Sequence, residues 1–379
     1  MYQPLGKKSL CAAARTIASS SGPQYTNSIM LAFDAPFIAD PGYVDFLRDN
    51  APRFSSLHFS LQTAGIPDAR HDMGQMPHEQ LRPLLAATGI AKKYGLLNSR
   101  VHGPDTYRES ESLRHITDCL ENLFTARVLD GIIYSDHYLL AAIARSRPDL
   151  AGQLEAVPSV NHGLDTVAKV EAVLDYIHST GFKAPGKIVL DRTLNRDPGA
   201  LKRMALVLKK TRPELRLALL ANEGCLAMCP FRPAHETHLA MNRMCLSEPA
   251  PNRTLGCSFL YFQEPFRLFA SPFIRPEDAV HYQGLVHDLK ICGRTRSPET
   301  MREIVSSYLR GEYHGNLLLL CDSMEPLAER IVIDNTQLPR DFLQRVSRCL
   351  GACASCTTCR SLADSHVRFL APGLKPFKA

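Results

Sequence analysis

Eight short aliphatic or β-branched runs, with helix-period segments between them, constrain this chain more than any other feature. They occupy residues 28–33, 56–61, 95–101, 131–134, 154–160, 187–190, 215–220 and 288–291. Helical crossovers between successive strands make those strands parallel, because an antiparallel pair needs only a short turn. Eight such units are the number that closes a barrel, so the pattern predicts an α/β fold, a (β/α)8 TIM-like barrel, rather than an open doubly wound sheet.

Several helices carry readable ends. Over residues 110–127, Leu113, Ile116, Leu120, Leu123 and Phe124 recur at three- and four-residue spacing and form one apolar face. Asp197 before Pro198 pairs an N-cap with a proline in the first turn, and Leu201, Met204 and Leu208 follow. Ser297 before Pro298 and Glu299 repeats the device, with Met301, Ile304, Val305, Tyr308 and Leu309 as the buried stripe and Gly311 as the stop.

One connection is far longer than the rest. About 60 residues, 222–284, separate the seventh strand from the eighth, where a few would suffice. This insertion leaves the C-terminal end of a strand, the face on which such barrels place their chemistry. The expected organisation is an N-terminal extension (1–25), a barrel (26–311) containing the insertion 222–284, and a small cysteine-rich, helical C-terminal appendage (312–379).

A chain of 379 residues with 45% hydrophobic and 22% charged residues can bury a full core without disulfide staples. The net charge of +6 is modest and the arginines are scattered, which excludes an acidic solvating tail and permits, without requiring, a nucleic-acid or anionic substrate. No apolar run reaches the roughly 20 residues needed to cross a bilayer. The patch from Cys11 to Ala14 is too short and too polar for a signal peptide, so a reducing, cytoplasmic setting is expected.

Eight of the twelve cysteines fall into two groups. Cys225, Cys229, Cys245 and Cys257 share the long insertion, and Pro230 follows the second thiol, as after cluster-binding cysteines of ferredoxin-type sites. Cys349, Cys353, Cys356 and Cys359 crowd the tail, the last three at ferredoxin-like two-residue intervals. Grouped thiols suit a soft metal centre, and the expectation is a [4Fe–4S] cluster in the insertion with room for a second in the tail. Zinc is the alternative at the tail cysteines. Cys11, Cys119, Cys292 and Cys321 read as small buried hydrophobes.

Polar residues at the predicted strand ends are the remaining site candidates. Arg192, Asn195, Lys290 and Arg294 would bind an anionic substrate, with Arg196 beside them, and Asp191 or His102 would move protons. His235 and His238 stand three residues apart, one short of a zinc-protease helix, and His238 reads as a surface residue. Nucleotide-binding glycine motifs are missing, and clustered thiols argue against a single activated cysteine nucleophile.

Three segments resemble the U32 "peptidase" family. They are Asp288 to Ser297 (DLKICGRTRS), Asn222 to Pro230 (NEGCLAMCP) with His235, and Phe273 to Asp278 (FIRPED). The resemblance spans about residues 28 to 360 and implies a TIM-like barrel holding one [4Fe–4S] cluster on four cysteines. It also implies oxygen-independent hydroxylation, which members of the family perform on RNA bases or on the ubiquinone ring, some with prephenate as oxygen donor. The tail cysteines and the short appendage separate this chain from the RNA-modifying members.

The expected function is therefore iron–sulfur-dependent hydroxylation, or a related redox modification, of a small molecule or peptide rather than RNA. A partner subunit or electron donor would complete it. The alternatives are a radical S-adenosylmethionine enzyme using Cys349, Cys353 and Cys356, a zinc-stabilised binding protein, and a U32-type peptidase whose proteolysis survives iron chelation.

Overall fold

The computed structural model describes residues 30–63, 66, 68, 76–243, 252, 254–347, 349, 351 and 353–370. The N-terminal extension 1–25, Cys11, Cys245, the first residues expected of the barrel and the end of the tail lie outside the described residues.

Eight parallel strands form one sheet: β1 (Ala32–Pro36), β2 (Phe54–Ser60), β3 (Lys93–Leu97), β4 (Gly131–Tyr134), β5 (Glu155–Pro158), β6 (Lys187–Val189), β7 (Arg216–Leu220) and β8 (Asp288–Lys290). Their order is β5-β4-β3-β2-β1-β8-β7-β6. β1 pairs with β8, placing Asp34 beside Lys290, and a parallel bridge between Glu155 and Lys183 brings the two ends of the sheet together. The result is the nearly closed TIM-like barrel anticipated from the strand count.

Strand alternation divides the side chains into two sets. Leu57, Phe59, Leu97, Ile132, Ala156, Ile188, Leu217 and Leu289 join the large core beneath the helices. Tyr94, Leu96, Ile133 and Val157 form a separate small cluster within the barrel.

Helix ends follow the sequence cues. Ser110 caps Glu111–Thr125 by accepting the Leu113 N–H, Asp197 caps Pro198–Thr211, and Ser297 caps Pro298–Arg310. Gly311 stops the last with a φ of 81°, in the left-handed region where a Cβ is costly. Among the described residues, no helix is long and apolar enough to cross a membrane.

The insertion after β7 folds back over the mouth. It contributes helices Arg232–Arg243, Cys257–Gln263 and Arg267–Ala270 and a 3-10 turn at Pro276–Tyr282. Asn195 fastens it to the barrel by donating to both the Leu220 carbonyl (2.8 Å) and the Pro272 carbonyl (2.7 Å). The Ile274 N–H donates to the Ala221 carbonyl at 2.6 Å, and Tyr308 on the last barrel helix donates to the Ile274 carbonyl at 2.7 Å.

Beyond Gly311 the chain is not wholly helical, as the sequence had suggested. β9 (Ile331–Ile333) and β10 (Val367–Phe369) make a small antiparallel sheet alongside short helices. Leu317, Phe342 and Leu362 of this segment belong to the same hydrophobic core as the barrel. Phe342 is fully buried between Phe269 and Phe273, with the Arg196 and Arg275 guanidiniums over its ring at 5.6 and 4.7 Å.

Candidate functional site

The C-terminal strand ends converge on a cavity of about 150 Å³ roofed by the insertion. Leu96, Ile133, Val189 and Leu220 supply apolar wall. His58, Arg192, Glu223, Arg232, Glu236, Lys290 and Arg294 supply charge or titratable groups, and Cys225, Cys229, Cys257 and Cys292 also border it. Larger hollows lie beside the tail cysteines (about 500 Å³) and beside His78 and Cys119 (about 430 Å³). Neither is formed by the barrel strand ends, and the mouth is where this architecture collects reactive groups.

Beneath the cavity lies a buried ionic cluster. Asp34 on β1 accepts from Lys187 Nζ on β6 (2.7 Å), Lys290 Nζ on β8 (3.1 Å) and His58 Nδ1 on β2 (2.9 Å). Lys187 also donates to Ser56 Oγ at 2.6 Å and lies 4.5 Å from the Tyr94 ring centre. Burial alone would push the Asp34 carboxyl up, but Lys187, Lys290 and His58 overcome it and hold it well below the usual carboxylate range. Burial brings the His58 imidazole down to about 4, with Lys290 adding to the effect, so near neutral pH the ring is uncharged and Nδ1–H faces Asp34.

Lys290 and His58 are the cluster members that border the cavity, and Lys290 is the one that carries an amine. Burial brings its ammonium down from the usual 10.5 to about 8; Asp34 opposes that drop and Lys187 adds to it. One carboxylate thus serves two ammonium groups, and the lysine nearer the mouth is partly an uncharged amine at mildly alkaline pH.

The cavity's arginines are paired. Arg192 Nε meets Glu223 at 2.8 Å and its Nη2 donates to Asn161 Oδ1 at 3.2 Å. Arg232 reaches Asp191 at 3.3 Å, Arg294 pairs with Asp68, and Arg100 on the rim holds Glu236 at 2.7 Å. Burial raises the Glu236 carboxyl, against the pull of Arg100, Arg192 and Arg232.

Of the site residues expected from sequence, Arg192, Lys290 and Arg294 line the cavity. Asn195 is turned to backbone carbonyls, and Asp191 accepts from the Thr193 N–H and hydroxyl and from Arg232. Neither borders the cavity, nor does His102, which is buried 6.3 Å from the Tyr107 ring centre. His235 borders the cavity and His238 is exposed. Asp34, His58 and Lys187 went unnoticed; their signal is a charged or polar residue at an inward position of an otherwise apolar strand. Cys292, read as a core residue, also borders the cavity, its backbone held in both directions by Asn222.

The cofactor expectation is overturned. Among the described residues, no group of three or more His, Cys, Asp or Glu side chains is placed to hold a metal ion. Cys225, Cys229 and Cys257 border one cavity, yet the Cys257 thiol is turned to the Asn252 carboxamide, at 3.2 and 3.3 Å. Cys245 lies outside the described residues. In the tail, Cys349 and Cys356 are exposed and Cys353 and Cys359 half-buried; Cys349 Sγ accepts the Gly351 N–H, and hydrogen bonds from Thr358 lower the Cys356 thiol. The described residues fit neither a [4Fe–4S] cluster nor a zinc ion at Cys225, Cys229 and Cys257 or at Cys349, Cys353, Cys356 and Cys359. Iron–sulfur-dependent hydroxylation, the radical S-adenosylmethionine reading and the zinc-stabilised reading all lose the ligand sets on which they were built.

No family model matches the chain. Over 247 residues, 63% of this chain and 67% of the other, it is 28% identical to the uncharacterized protease MJ1657 of Methanocaldococcus jannaschii. A solved structure, that of the U32 peptidase Mk0906, superposes with a TM-score of 0.46 at 14% identity, covering 73% of this chain and 98% of the other.

Proposed function

Because the chain is a homologue of the U32 peptidase family, we propose that it is a peptidase-type hydrolase, cleaving an amide bond beside a small carboxylate-bearing residue held in the barrel mouth. The observation that carries this reading is the Lys290 amine, desolvated and bound to Asp34 at the edge of a cavity on the C-terminal face. The name of the methanogen relative, a protease, points the same way.

Amide hydrolysis needs a base for the attacking water and cations for the substrate's charge. In this reading Lys290, uncharged, takes the water proton, and Asp34 with Lys187 holds the amine in place from below. Arg192, Arg232 and Arg294 receive the substrate carboxylate. Arg232 is the most available, since its 3.3 Å pairing with Asp191 is the longest of the three. Asp191 is then a positioning residue acting through Arg232. A cavity of about 150 Å³ admits one residue-sized group, so the scissile bond lies at a chain end or in a small amide.

The test is a defined mixture of short peptides with acidic termini, incubated with the chain in the presence of an iron and zinc chelator and read by mass spectrometry. New termini should form despite the chelator, and Lys290→Met should lower the rate by roughly a hundredfold or more. Arg100→Ala at the rim should stay within a few-fold. No cleavage by the wild type, cleavage abolished by the chelator, or an undiminished Lys290→Met would overturn the reading.

A further inference from the structure

Lys290 carries an inference that does not depend on amide cleavage. An amine is a nucleophile only while uncharged, and a lysine is kept so by desolvation and by a second cation nearby. Both conditions are built into this barrel: Lys290 is buried, and its one carboxylate partner among the described residues, Asp34, is shared with Lys187. The groups acting on it from neighbouring elements are Asp34 on β1, His58 on β2, Lys187 on β6 and Cys292 just beyond β8, and Arg294 in turn acts on His58.

Charge balance identifies the ligand. Among the described residues, Arg192, Arg232 and Arg294 each meet a carboxylate of their own, whereas Lys187 and Lys290 divide one. The cavity therefore accepts one further negative charge, and its apolar walls admit only a few carbons beyond it. We propose that Lys290 captures small 2-oxo acids, its Nζ bonding to the ligand's carbonyl carbon to form an imine inside the barrel mouth.

The step balances without any redox partner. Nζ adds to the carbonyl carbon to give a carbinolamine. The carbonyl oxygen then departs as water with both amine hydrogens, leaving a carbon–nitrogen double bond. Protonated, that imine is a cation, and the ligand carboxylate supplies the anion that a buried iminium requires.

The experiment is reductive trapping of the full chain with pyruvate and borohydride, followed by peptide mapping. Wild type should gain one reduced pyruvate, located at Lys290, and the yield should rise with half-maximum near pH 8 rather than near 10.5. Acetone, similar in size but uncharged, should label Lys290 at least about tenfold less, the loss of one charge-assisted contact. Lys290→Arg should remove the adduct, but the decisive reading is made on the wild type, so a variant that fails to fold does not rescue the idea. A chain with no adduct at Lys290, with label spread evenly over surface lysines, or with acetone as efficient as pyruvate would overturn the proposal. Peptide cleavage with no trapping would reject this inference alone, and trapping with no cleavage would reject only the hydrolase reading.

Discussion

Replacing Lys290 by methionine should make the protein more stable, although it removes a 3.1 Å ion pair. The unfolded chain holds the lysine proton up to about pH 10.5, whereas the folded barrel releases it near 8. Between those values the unfolded state binds more protons, so stability rises with pH across this window. Below it the fold carries a burial cost that Asp34 only partly offsets. A fall from 10.5 to about 8, at about 1.4 kcal/mol per pH unit, makes that cost about 3 kcal/mol near pH 7. Methionine fills a similar volume without the charge, and Asp34 keeps Lys187 and His58 as partners. Urea unfolding followed by circular dichroism should show Lys290→Met ahead by about 3 kcal/mol near pH 7. The margin should shrink to under about 0.5 kcal/mol near pH 10.5, where the wild-type lysine is uncharged when folded and already half uncharged when unfolded. Other lysines titrate too, but they cancel in the difference. A variant that is no more stable at neutral pH, or whose margin does not close as pH rises, would refute the argument.

Two further outcomes follow from buried groups. Asp34→Asn leaves two ammonium groups without their carboxylate and should cost about 3–5 kcal/mol by urea unfolding, part of which the double variant Asp34→Asn with Lys187→Met should return. Phe342→Ala should cost about 3–5 kcal/mol, and limited proteolysis should then cut the chain beyond residue 340 while the barrel stays intact.

The barrel was legible because parallel strands covered on both faces read as unbroken aliphatic runs, and because serine or aspartate before proline marks a helix start. β3 shows where boundaries drift. It runs over Lys93–Leu97, two residues earlier than its aliphatic run, since Lys93 and Tyr94 open the strand with polar groups that read as loop. That feature also hid the ionic cluster. Asp34 sits between Phe33 and Ala35, and a charge in such a run reads as a strand end unless the alternation is followed across neighbouring strands. The cysteines misled for the opposite reason. Closeness along the chain is not convergence in space: Cys257 opens a helix and turns to Asn252, while Cys225 leaves β7 with its carbonyl held by Ser271 at 2.6 Å.

Sequence alone also could not show what the long insertion does for Lys290. An amine at a barrel mouth open to water would keep an ordinary affinity for its proton, so the low value requires the roof to stay closed. Asn195 is one of the side chains that tie the roof down, joining the end of β7 to the Pro272 segment, with Arg196 donating twice to the neighbouring Ser271 carbonyl. Asn195→Ala leaves two buried carbonyls without that donor, at a cost of about 1–3 kcal/mol each, and lets the insertion lift. Water reaching Lys290 would restore its hold on the proton, so the half-maximum for pyruvate trapping should move up from about 8 toward 10.5 while the adduct stays at Lys290. A variant that loses stability yet keeps the trapping profile of the wild type would separate the roof from the lysine. The low proton affinity would then originate in burial among the barrel strands and in the Lys187 charge, against the pull of Asp34.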